Sequence, residues 1–155
     1  MSEQDYTATV QVAASADEVF EALTNLDALS AWWTRATGDP LPTGPITFPF
    51  SPSGQAVMHV DSAERGAGVR WTTTACMVED WVGTSQLFDL ETLPGGDTEI
   101  RFRHAGLTPE LECYRDCQSG WNHFIGSLAS YVDTGLGQPN RSEEDTARRE
   151  VRAAG

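Results

Sequence analysis

Residues 108–135 constrain the chain most, because they read as one long amphipathic helix that must lay its apolar stripe on another element. Thr108 stands at an N-cap position and Pro109 at the first helical position, where a missing N–H removes no intrahelical bond. Gly135-Leu-Gly-Gln-Pro139 ends the run. About 26 residues rising about 1.5 Å each predict a rod of about 39 Å. Advancing about 100° per residue from Tyr114, the arc within about 60° on either side collects Leu111, Tyr114, Cys117, Gln118, Trp121, Ile125, Leu128, Ala129 and Val132. Gln118 is the only strongly polar member. Glu110 shares the arc but lies in the first turn, where a carboxylate suits the helix dipole and reaches solvent.

The preceding residues supply a sheet for that stripe. Tyr6–Ala13 alternates, with Ala8, Val10 and Val12 on one face, as a half-buried strand does. Ser15-Ala-Asp-Glu18 is a capping box that starts a short helix carrying Val19, Phe20 and Leu23, and Leu26, Leu29, Trp32 and Trp33 space a second. Ile46, Phe48 and Phe50 alternate in a brief strand whose Pro49 predicts an edge or a bulge. Strands then follow at Gln55–Ala63, Val69–Cys76, Thr84–Leu93 and Thr98–His104, with turns at Glu64–Gly68 and Pro94–Asp97. Met77–Gly83, which contains Trp81, reads as a longer connection or a bulged continuation. The order predicts an α+β domain: a curved antiparallel sheet of about six strands, with two short helices and the long C-terminal helix packed across it. Residues 1–139 form that domain. Residues 140–155 are polar and nearly free of aliphatic side chains, and are expected to be a disordered tail.

Charge narrows the partners. Twenty-three acidic residues against ten basic ones give −13, a field that repels nucleic acid and anionic bilayers. No apolar run is long enough to span a membrane, so no membrane insertion is expected. All ten basic residues are arginine, which excludes Schiff-base lysines and a P-loop lysine. Cys76, Cys113 and Cys117 form no even disulfide framework, and the start of the chain has no leader pattern, so a reduced, cytoplasmic protein is expected. Cys113 and Cys117 lack the further convergent ligands a zinc site needs, and no metal or other cofactor is expected. Hydrolase, dinucleotide and zinc-protease motifs are missing from the sequence.

Several segments carry a family resemblance. They are Ser15-Ala-Asp-Glu-Val-Phe-Glu-Ala-Leu23 after the first strand, the pair Trp32-Trp33, and Phe102-Arg-His104 followed by Gly106-Leu107. Gly120-Trp121 with Leu128, Tyr131 and Gly135-x-Gly137-x-Pro139 completes the set. Together, over residues 5–139, the chain resembles the START-like, Bet v 1-like helix-grip superfamily (SRPBCC). Within it, the chain is similar to bacterial relatives of the C-terminal domain of the Hsp90 ATPase activator. The resemblance implies a helix-grip fold with a cavity for hydrophobic or aromatic small molecules. Known uses of that cavity run from lipid transport and polyketide cyclisation to co-chaperone binding, so the fold leaves the activity open.

The expected function is therefore binding of a hydrophobic or aromatic ligand between the C-terminal helix and the sheet, without catalysis or with little of it. The expected lining is Trp33, Phe50, Trp71, Phe88, Phe102, His104, Tyr114, Cys117, Gln118 and Trp121. Any single tryptophan is adequately explained as core filling, but five in one small domain suit an aromatic cavity. His104 follows Ile100 and Phe102 on the inward side of its strand, whereas His59 and His123 face solvent. Arg101 and Arg103 alternate outward beside Glu99 and are expected to pair across strands. Two alternatives stay open: a polyketide cyclase or aromatase-like enzyme in which His104 or Tyr114 moves a proton, and a chaperone-interaction module. A homodimer is compatible with each.

Overall fold

The computed structural model describes residues 5–39, 45–51, 54–112 and 114–138, with backbone alone at 50–51. The tail expected from residue 140, Cys113 and the side chain of Phe50 lie outside that description. Seven strands form one antiparallel sheet: β1 (Tyr6–Val12), β2 (Thr37–Gly38), β3 (Ile46–Ser51), β4 (Gly54–Glu64), β5 (Gly68–Cys76), β6 (Ser85–Thr92) and β7 (Thr98–Ala105). Their spatial order is β1-β7-β6-β5-β4-β3-β2, so every pair but β1–β7 joins neighbours in sequence. The strand beyond the expected six is the two-residue β2, which borders β3 through Thr37 opposite Thr47 and Gly38 opposite Ile46. Pro49 removes a ladder donor, and the β3–β4 register shifts there as expected.

Helices α1 (Ala16–Thr24) and α2 (Leu26–Trp32) fill the connection from β1 to β2. Ser15 Oγ accepts from the Glu18 N–H at 3.2 Å, which is the capping contact read from the sequence. Asn25 serves both helices: its N–H donates to the Glu21 carbonyl, and its Oδ1 accepts from the Ala28 N–H.

The long helix α3 (Tyr114–Thr134) starts later than expected. Thr108 and Pro109 begin a tight turn instead, in which the Leu111 N–H donates to the Thr108 carbonyl and the Tyr114 N–H to the Leu111 carbonyl. Both bonds span three residues, not the four of an α-helix, so the chain turns before the rod begins. Along α3 the expected stripe holds: Trp121, Ile125 and Leu128 are buried, and Tyr114, Cys117, Gln118, Ala129 and Val132 half-buried. His59 and His123 are exposed. Arg101 pairs with Glu99 and Glu91, and Arg103 with Asp5.

Polar ties fix the helix end. Asp133 Oδ1 accepts from the Ala13 and Ala14 N–H groups at 2.9 and 3.0 Å. A carboxylate at a helix C-terminus costs about 0.3–1 kcal/mol, less than a charge-assisted hydrogen bond of about 1.5–3 kcal/mol contributes, so the tie prevails. Ser127 Oγ donates to the Trp32 carbonyl at 2.7 Å and accepts from the Gln138 N–H at 2.6 Å. Residues 135–138 thereby return over α2. A Cβ at Gly137 would stand 2.5 Å from the Ala31 carbonyl oxygen and 2.9 Å from Trp32 Cα, so only glycine fits. Gly137→Ala is expected to lower unfolding free energy by about 1–3 kcal/mol in urea titrations. Gly126→Ala, with open space at its Cβ, should raise it by about 0.5–1 kcal/mol.

Candidate functional site

Alternation places Phe48 of β3, Trp71 of β5, Phe88 of β6 and Phe102 of β7 on the face of the sheet beneath α3, all at most 1% exposed. The rings pack in sequence: Phe48 lies 5.9 Å from Trp71, Trp71 5.1 Å from Phe88, and Phe88 4.8 Å from Phe102. Trp33, just past α2, sits above them, parallel to Trp71 at 5.9 Å and 5.1 Å from Trp121. Trp121 descends from α3 to within 4.4 Å of Phe102. The space between helix and sheet is thus filled with aromatic rings. Trp71, Phe88, Phe102 and His104 are interior residues in this packed layer.

Open space occurs at one end. A cleft of about 180 Å³ lies between the N-terminal half of α3 and the connection after β5, lined by Trp33, Cys76, Met77, Val78, Trp81, Asp116, Cys117, Gly120, Trp121 and Phe124. The connection carries a 3₁₀ turn over Glu79–Trp81. It is closed by the Thr73 N–H donating to the Thr84 carbonyl and the Gly83 N–H donating to the Thr73 carbonyl. That closure brings Trp81 back over α3, nearly parallel to Trp121 with 5.9 Å between ring centres. Gly120 leaves room, since nothing lies within 4 Å of where its Cβ would be.

Buried hydrogen bonds set the walls. Trp121 Nε1–H donates to His104 Nδ1 at 2.9 Å. The imidazole proton therefore sits on Nε2, facing Thr84 Oγ1 at 2.7 Å. The Thr84 hydroxyl donates onward to the Trp81 carbonyl at 2.6 Å. Trp81 Nε1–H donates to Cys117 Sγ at 3.2 Å, and the His104 ring stands edge-on to Trp81 with 4.6 Å between centres. Burial pushes the His104 pKa down to about 3, opposed by the more distant Asp5 carboxylate. Both ring nitrogens are engaged internally and the residue is 0% exposed, so His104 holds Trp121 in position and reaches no ligand in the cleft.

The remaining candidates divide. Trp33, Cys117 and Trp121 line the cleft. Tyr114 and Gln118 instead border a neighbouring polar depression with Pro109, Leu111 and Arg115. Sequence reasoning left Cys76, Met77, Val78, Trp81, Asp116, Gly120 and Phe124 out of the lining. Phe124 falls about 80° from Tyr114, just beyond the arc counted as the stripe. For Trp81 the available signal was a bulky indole beside Glu79 and Asp80 in the connection. Among the described residues no cluster of three or more His, Cys, Asp or Glu side chains could hold a metal ion.

His104 makes stability depend on pH. In the native state it stays neutral down to about pH 3, while in the unfolded chain it takes a proton near 6.5. Its contribution is complete above pH 6.5, and is lost as pH falls toward 3 at up to about 1.4 kcal/mol per unit. The gap in unfolding free energy between the wild type and His104→Gln should therefore narrow between about pH 7.5 and about pH 5 in urea titrations. A constant gap would mean that the ring titrates alike in both states.

Comparison with known proteins places this geometry. A scan of curated protein sequences gives no match. Among solved structures, the fold is similar to the Aha1 dimer from Colwellia psychrerythraea, at 28% identity and a TM-score of 0.76 over 86% of this chain and 98% of that one. It is also similar to DynU16, a protein of the dynemicin biosynthetic locus, at 23% identity and a TM-score of 0.66 over 87% of this chain and 49% of that one. CalU16 from Micromonospora echinospora matches at 18% identity and a TM-score of 0.69 over 97% of this chain and 86% of that one, a likeness of fold alone. The family model described as activator of Hsp90 ATPase homolog 1-like protein matches residues 13–133. By that match and the helix-grip architecture around the cleft, the chain belongs to the family of activator of Hsp90 ATPase homolog 1-like proteins.

Proposed function

We propose that the protein binds a small hydrophobic or aromatic molecule, one ring of which enters the cleft between α3 and the β5–β6 connection. The observation that carries this reading is the cleft itself, an apolar opening walled by Trp33, Trp81, Trp121 and Phe124. Its size sets the guest: about 150 Å³ suffices for benzene, whereas drug-sized pockets run to about 300–1,000 Å³. At about 180 Å³ the cleft takes one ring or a short acyl end, with the rest of the molecule outside. Walls held by internal hydrogen bonds lose little freedom on binding.

A second reading is favoured by the rim, where Met77 and Val82 are 49% and 50% exposed. In it the ring belongs to an apolar side chain of a partner protein, a chaperone by analogy with the family description and with the Colwellia neighbour. That neighbour is a dimer, which supports a homodimer here. The cyclase alternative keeps only Tyr114 as a proton carrier, because His104 is sealed beneath Trp121. We place the protein in the cytoplasm, on the reduced reading of its three cysteines. Gly120→Leu fills the cleft from a helical position with room for a side chain. It should abolish the shifts that 2-phenylethanol induces in the Trp81 and Trp121 indole N–H signals in NMR spectra, while melting at or above the wild-type temperature. Unchanged binding would place the guest elsewhere.

A further inference from the structure

Given that a ring occupies the cleft, the sign of charge on its substituent follows from the groups around it. The walls contain no cationic side chain: of the ten lining residues only Asp116 belongs to a charged type, Cys76 and Cys117 being thiols. Two of the three wall indoles already donate inside the protein, that of Trp121 to His104 and that of Trp81 to Cys117. Asp116 stands at the exposed rim, in the first turn of α3. None of the ion pairs among the described residues involves it. Arg115 shares the neighbouring depression with Glu112 and Asp116 and is absent from the cleft lining. The partial positive charge at the start of α3 offsets part of the Asp116 carboxylate, about half a charge against a full one. The field of the whole chain, at −13, adds to the carboxylate.

We infer that the cleft selects an aromatic ring bearing a cationic substituent, such as a primary ammonium, over neutral and carboxylated rings of the same size. The ring packs against the indoles and the cation stays at the mouth, between the π electrons of the walls and Asp116. Ligands such as arylacetates or fatty acids find no partner for their charge there.

The test uses three probes of one shape: 2-phenylethanol, 2-phenylethylammonium and phenylacetate. Each is titrated into the whole protein at low ionic strength, with the indole N–H signals of Trp81 and Trp121 followed by NMR. The ammonium should bind about tenfold more tightly than the alcohol, and phenylacetate more weakly than either. Asp116→Asn should bring the ammonium to within about threefold of the alcohol measured on the same variant, and salt should shrink the preference in the wild type. Equal binding of alcohol and ammonium, or a preference that survives in Asp116→Asn, overturns the inference while leaving the binding site standing. If none of the three shifts either indole, the reading of the cleft as a ring site fails, and this inference with it.

Discussion

The hydrogen bond from the Trp121 indole to His104 Nδ1 is the contact on which the arrangement of this protein depends. It joins α3 to β7 inside the core, and it can form only while the imidazole is neutral with its proton on Nε2. That proton faces Thr84, Thr84 donates to the Trp81 carbonyl, and Trp81 donates to Cys117, one helical turn before Trp121. The path closes on itself through helix, strand and connection. Each such bond adds only about 0.5–1.5 kcal/mol net, but leaving a buried partner unmade costs about 1–3 kcal/mol. The closed path therefore does more to select one arrangement of the tryptophans than to raise stability.

From that arrangement follows the contrast between the packed aromatic layer and the apolar cleft at its edge. Interiors pack about as densely as organic crystals, and the rings of Trp33, Trp71, Phe88 and Phe102 are each at most 1% exposed. Trp71 Nε1 is buried there without a hydrogen-bond partner, a cost that the parallel contact with Trp33 and the edge contact with Phe88 must outweigh. The proposed binding cleft lies where α3 and the β5–β6 connection diverge, with Gly120 providing the gap. The fold is shared with proteins of different surroundings, and chemistry specific to this chain resides in the few residues at that mouth.

Much of the architecture was legible because it depends on local periodicity. Alternation put Ile100, Phe102 and His104 inward, the Ser15 cap set α1, the spacing of Leu26, Leu29 and Trp32 set α2, and that of Trp121, Ile125 and Leu128 identified the buried side of α3. The start of α3 was not legible, since Thr108-Pro109 suits a tight turn as well as a helix N-terminus. The cleft was only partly legible. Trp33, Cys117 and Trp121 fall on apolar patterns, but Trp81 reaches the site through the closure of residues 73–84, which no periodicity encodes. Whether five indoles fill a space or line it is a matter of summed volumes across elements, beyond the reach of a pattern along the chain.

Crystals pressurised with xenon test the account most directly, because xenon enters apolar space without needing a polar partner. The account predicts one strong site, between Trp81, Trp121 and Phe124, and no xenon among Trp71, Phe88 and Phe102. A site beneath the middle of α3 with the cleft empty would contradict it.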